Sequence, residues 1–149
     1  MSSPSNGIRL LILLAVCIYA LLLTHAGALW YAWYWTYPWF DILTHFWGGA
    51  CVALGTVWII RHVRYAPQRW RQSAPLIAVV VTIAVIGVVW EAYEWVVQSA
   101  FGLTLPPNYV PDTLLDLVMD TTGALFGLFC LRLATRKQKD NEVIEVSSY

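Results

Sequence analysis

Four long apolar stretches constrain this chain more than any other feature: residues 8–28, 41–60, 75–101 and 112–133. A bilayer core of about 30 Å is crossed by about 20 residues of α-helix. Inside it, only structures that satisfy their own backbone N–H and C=O groups persist, which for runs of this length means helices. The pattern predicts an all-α, polytopic membrane protein with four transmembrane helices in one domain over residues 1–136. A polar and unstructured tail is expected over residues 137–149. Composition agrees, with 59% hydrophobic and 12% charged residues in 149, against about 25% charge in soluble domains. The formal net charge is zero, so no global basic pull points to nucleic acid. Cys17, Cys51 and Cys130 each lie inside an apolar run and form no C-x-x-C pair; they read as apolar filler.

Orientation follows from where Lys and Arg fall. Arg9 precedes the first span, Arg61, Arg64, Arg69 and Arg71 occupy the loop after the second, and Arg132, Arg136, Lys137 and Lys139 end the fourth. The linkers over residues 29–40 and 102–111 contain neither. Both termini and the basic loop are therefore expected on the cytoplasmic side, and the two uncharged linkers outside. Ala26-Gly27-Ala28 resembles a signal-peptidase site, but the run before it is long for a signal peptide and aromatic residues follow at once. The segment is read as a retained span; cleavage would leave three spans without reversing them. Residues 30–40 are almost wholly aromatic. They suit an interfacial belt, or a platform for a lipid head, a sugar or a cationic ligand.

The acids carry the chemical signal. Of nine, Asp140, Glu142 and Glu145 lie in the tail, while Asp41, Glu91, Glu94, Asp112, Asp116 and Asp120 lie in or at the ends of spans. At 1.5 Å per residue, His45 sits about 6 Å below Asp41, Asp116 and Asp120 about 6 and 12 Å below Asp112, and Glu94 and Glu91 about 10 and 15 Å below the end of the third span. Three helices thus bring ionisable groups to the same outward half of the membrane. Asp41 and His45 share a face at i, i+4, as do Asp112, Asp116 and Asp120. Gly123 and Gly127 continue that side of the fourth helix. Glu91, Glu94 and Gln98 follow i, i+3, i+7 with Gly87 one turn earlier, and Gly48, Gly49 and Gly55 lie farther along the second helix. Small residues beside polar ones let helices approach closely, so the polar faces are expected to turn inward, toward one another.

Six carboxylates with no Lys or Arg in the same half must hold protons, bind a cation or be hydrated. An oxygen-rich cluster with one imidazole suits Mg²⁺, Mn²⁺, Ca²⁺ or Zn²⁺. His45, Glu91, Asp116 and Asp120 are the expected metal ligands, with His45 and Glu94 as proton-transferring groups, and Asp41, Asp112 and Gln98 as further members. Asp41 and Asp112 alternatively serve as helix N-caps, and the deeper acids as a structural hydrogen-bond network. His25 is a weaker candidate at a similar level, whereas His62 lies among arginines at the opposite face.

The motifs Phe40-Asp-Ile-Leu-Thr-His-Phe-Trp-Gly-Gly, Trp90-Glu-Ala-Tyr-Glu-Trp95 and Asp112-Thr-Leu-Leu-Asp-Leu, in this order on separate helices, resemble the YjdF-like bacterial inner-membrane proteins and, more distantly, the VanZ-like proteins. The likeness covers the last three spans. It implies a bacterial inner-membrane location and, through the VanZ-like link, cell-envelope biology. It supplies no activity. Asp120 stands where VanZ-like proteins usually carry Asn.

Three functions follow from these residues. One is an intramembrane divalent-metal site acting on a lipid-linked or envelope substrate, the metal polarising a phosphoryl or carbonyl oxygen. Another is cation or proton transport along the same acids. The inner half of each helix offers no ionisable group to continue such a path, although a homo-oligomer or a large conformational change could supply one. The third is a structural or partner-binding subunit, for which a neutral polar network would serve at lower desolvation cost.

Overall fold

The computed structural model describes residues 4–37, 39–63, 67–72, 76–100 and 109–147. Among these every regular element is a helix: α1 (Pro4–Trp30), α2 (Trp33–Thr36), α3 (Trp39–His62), α4 (Gln68–Gln72), α5 (Leu76–Ala100) and α6 (Tyr109–Ser147). Four segments are long and apolar enough to cross a membrane: Leu10–Trp30, Trp39–His62, Leu76–Ala100 and Tyr109–Thr135. The expected span ends at Pro75 and Phe101, and most of the linker over 102–111, lie outside the described residues.

Two local expectations change. Asp41 and Asp112 fall within the first turns of α3 and α6 instead of at their caps. There they still meet the partial positive charge of the helix N-terminus. In place of the unstructured tail that polar composition predicts from residue 137, α6 continues to Ser147. A helix already nucleated inside the bundle needs no new nucleus to propagate, and Lys, Gln and Glu are good helix formers.

Threonines adapt these helices to an apolar medium by donating to their own backbone. Thr24 bonds the Ala20 carbonyl at 2.8 Å, Thr56 that of Val52 at 2.8 Å, Thr82 that of Ala78 at 2.8 Å and Thr121 that of Leu117 at 2.9 Å. Each hydroxyl is satisfied without water or a neighbouring helix.

The spine of the fold is the parallel pair α3–α6. A Cβ on Gly49 would collide with the Asp120 carbonyl, one on Gly123 with the Phe46 carbonyl, and one on Gly127 would lie 3.1 Å from the Ala50 carbonyl. Only glycine permits backbones this close. Gly7 beside His62 and Leu14 beside Gly55 set α1 antiparallel to α3; Gly87 beside Leu117 and Asp120 sets α5 antiparallel to α6. Successive membrane crossings require this alternation. The reversal between α1 and α3 passes through Ala32 in the left-handed region (φ 58°) and the single turn of α2. A small apolar core of Ala53, Val57, Val79, Ile83 and Ala124 lies between α3, α5 and α6.

Burial is inverted relative to a water-soluble domain. Leu114, Val118, Leu125 and Phe129 on α6 are more than half exposed, whereas Asp116 and Asp120 on the same helix are 3% and 8% exposed. Such a surface is stable against lipid and not against water. The chain is a multi-pass membrane protein.

Candidate metal centre

The site forms where α3 and α6 begin and α5 ends. His45 is its hub. From α3 it looks across the Gly49–Asp120 contact, which brings α6 close enough for Asp120 Oδ1 to lie 3.3 Å from His45 Nδ1. The other ring nitrogen, Nε2, lies 3.7 Å from Asp41 Oδ1 and 4.0 Å from Asp116 Oδ1. Those separations exceed hydrogen-bonding distance, and Nε2 has no partner although His45 is only 5% exposed.

Glu91 enters from α5. Its Oε2 accepts a 2.7 Å hydrogen bond from the Thr113 hydroxyl of α6, and the Tyr109 hydroxyl approaches its backbone carbonyl at 3.4 Å. Its Oε1 is buried without a partner. Glu94, one turn nearer the linkers, accepts from the Trp90 indole N–H at 2.8 Å. The i, i+4 spacing of Trp90 and Glu94 places both on one face, so this bond is legible in the sequence. The Thr113–Glu91 bond joins residues 22 apart and is not.

Among the described residues three overlapping triads emerge: Asp41, His45 and Glu94; His45, Glu91 and Asp116; and Asp41, Asp112 and Asp116. In each, one ligand atom per residue lies within 4.8 Å of the others. These are ligand separations that a single ion of 2.0–2.6 Å bond length can bridge. Asp120 contacts the hub through Nδ1 and belongs to none of the three. Gln98 is half-buried one turn beyond Glu94 and is likewise outside them.

Charge compensation within the protein is lacking here. No Lys or Arg occurs from residue 10 to 60 or from 72 to 131, which leaves two histidines, His45 and His25, as the cationic candidates beside the six carboxylates. Buried carboxylates without counter-charge are costly unless a proton or metal ion neutralises them.

His25 sits above this cluster. Its Nδ1 is 2.6 Å from the Tyr34 hydroxyl, and its ring packs edge-on against Trp90 with centroids 5.2 Å apart. Burial pushes the Tyr34 hydroxyl up to about 12, so it stays protonated at neutral pH, and either group can donate across this contact according to the His25 tautomer. Tyr34, Thr113 and Trp90 are thus the site-forming residues that the carboxylate pattern alone does not single out.

A family model described as "Predicted membrane protein (DUF2238)" matches residues 4–137. The chain belongs to the DUF2238 family. The match takes in all four spans and every residue of the cluster. It supports the motif resemblance at the level of a membrane-protein family and lends nothing to the VanZ-like likeness. The chain matches no curated protein and no solved structure.

Proposed function

We propose that this DUF2238 protein is a YjdF-like inner-membrane protein that binds a divalent cation in its outward half, next to a lipid-linked or cell-envelope substrate. The observation that carries the reading is the pair of orphaned buried atoms, His45 Nε2 and Glu91 Oε1. An unpartnered buried polar atom costs about 1–3 kcal/mol, and more if charged. Both belong to residues of the triad with Asp116, in which one ligand atom of each residue lies within 4.8 Å of the others, so a cation held there would draw on both residues.

On this reading His45, Glu91 and Asp116 are the inner ligands. Asp120 positions the imidazole through Nδ1, and Asp41 and Asp112 add negative charge at the mouth. Glu94, held by Trp90, lies within reach of Asp41 and His45 and is the group free to exchange a proton with a bound molecule. The ion would polarise a phosphoryl or carbonyl oxygen of that molecule. A transport relay is disfavoured by the helices themselves: from residue 46 to 60, 76 to 90 and 121 to 131 there is no Asp, Glu, His, Lys or Arg to carry charge onward.

Elemental analysis of the detergent-purified protein tests the reading. Near-stoichiometric divalent metal is expected, and its loss in the Glu91→Gln, Asp116→Asn double variant. Wild-type protein that stays folded without metal, and takes up none on titration with Mg²⁺, Mn²⁺, Ca²⁺ or Zn²⁺, would overturn it.

A further inference from the structure

A cavity of about 430 Å³ lies beside the cluster, between α1 and α5 and floored by α3. At one end it reaches His25, Thr44, His45 and Asp120; at the other it reaches Ile59. Thr44 and Ile59 are 15 residues apart on one helix, so the groove is about 22 Å long. Spread along that length, the space is a long slot with the elongated shape that an extended hydrocarbon chain fills.

The walls have one polar end only. The two hydroxyls farther along, Thr56 and Thr82, are both committed to their own backbones at 2.8 Å. They offer nothing to a polar guest. The groove also runs farther than half of a bilayer core, about 15 Å, so it can take the whole tail of a lipid from the leaflet that meets the cluster. Its floor is kept low by glycine: a Cβ on Gly48 would meet nothing within 4 Å, and one on Gly55 would touch only Leu14, at 3.6 Å.

We infer that this groove holds one acyl chain of a phospholipid, which enters sideways between α1 and α5 and brings the phosphate-bearing head to the carboxylate–histidine cluster. The head end rests on the cation-site reading, because an anionic phosphate needs the ion to approach these acids; the chain end rests on the groove alone. His25 and Trp90, in edge-on contact where α1 meets α5, cross the groove at its head end.

The test uses the full chain in phosphatidylglycerol vesicles containing a phosphatidylglycerol probe with a diazirine on one acyl chain. After irradiation, labelled peptides are mapped by mass spectrometry, and metal content is measured on the same samples. Labelling is expected to concentrate on groove residues such as Cys51, Ile59 and Ile83, above the lipid-facing reference Val118. Gly48→Phe, and independently Gly55→Leu, should lower groove labelling by about tenfold, as when a side chain fills the guest's space, while Val118 labelling and metal content stay unchanged. Labelling spread evenly over lipid-facing residues and indifferent to both variants would overturn the assignment, as would protein-to-protein crosslinks from a groove-sited photoreactive residue. Groove labelling that persists in metal-free protein keeps the chain site and removes the head contact, which separates failure of this inference from failure of the cation site.

Discussion

Gly49→Ala is the most informative single change. The added methyl would lie against the Asp120 carbonyl far inside van der Waals contact. The obstacle is backbone, which cannot rotate away, so α3 and α6 must separate by on the order of 1 Å. Overpacking of this kind costs about 1–3 kcal/mol. The separation also stretches the 3.3 Å contact between His45 Nδ1 and Asp120, and misplacement of this size in an organised site can cost up to about 100-fold in function. Gly48→Ala provides the control one residue away, since its Cβ meets nothing. Replacing a helical glycine in open space is expected to stabilise by about 0.5–1 kcal/mol. Thermal unfolding in detergent, followed by circular dichroism, and cation titration by calorimetry should therefore move in opposite senses for the two variants: a lower midpoint and weaker binding for Gly49→Ala, an equal or higher midpoint and unchanged binding for Gly48→Ala. Indistinguishable variants would refute the backbone contact, and with it the placement of Asp120 beside the imidazole.

Further expectations can be checked on the same preparation. Thr113→Val should strand Glu91 Oε2, costing about 1–3 kcal/mol of stability, while Thr122→Val, whose hydroxyl bonds only the Val118 carbonyl of its own helix, should cost much less; equal losses would argue against the α5–α6 bridge. Trp90→Phe keeps an aromatic ring and removes the N–H that holds Glu94, so cation binding should persist with a changed pH dependence of any proton-transfer step. Burial raises Tyr34 from its ordinary 10.0 to about 12. Above pH 10 the unfolded chain releases this proton first, so stability is full below pH 10 and declines as pH rises toward 12. Tyr34→Phe should flatten that decline in urea unfolding midpoints measured across this range, and an unaltered slope would assign it to another group. Chelator treatment should lower the unfolding midpoint of the wild type, because a ligand bound only to the folded state stabilises it by mass action, and should leave the midpoint of the Glu91→Gln, Asp116→Asn variant where it was.

Much of this arrangement is legible along the chain because it depends on one helix at a time. Apolar length marks the spans, and i, i+4 spacing puts Asp41 with His45 and Asp112 with Asp116. What the pattern cannot carry is pairing between helices. Nothing in residues 39–62 says that Gly49, and not its neighbour Gly48, meets α6; both are glycines, and only the packed structure separates a contact from an open groove floor. Thr113 likewise looks like any threonine in the first turns of a helix until α5 brings Glu91 to it. The extension of α6 past residue 137 is missed for another reason: composition weighs the tail alone, whereas a helix already formed upstream supplies the nucleus.

The glycine contacts between α3 and α6 have a mechanical consequence. Gly49 against Asp120 and Gly123 against Phe46 lodge main chain in main chain, so neither helix can slide or roll past the other without a steric clash. The His45–Asp116 and His45–Asp120 distances are thereby anchored to backbone positions as well as to side-chain rotamers. Compliance is left to the opposite wall. Within its spanning segment α1 has 6% of its most apolar stretch buried, against 39% for α3, and the Trp58 indole reaches it through a single 3.2 Å bond to the Gly7 carbonyl. The bundle is thus locked by main-chain contact along α3–α6 and least buried along α1. A tilt of α1 would widen the space beside the cluster while the ligand geometry on α3 and α6 stayed constant.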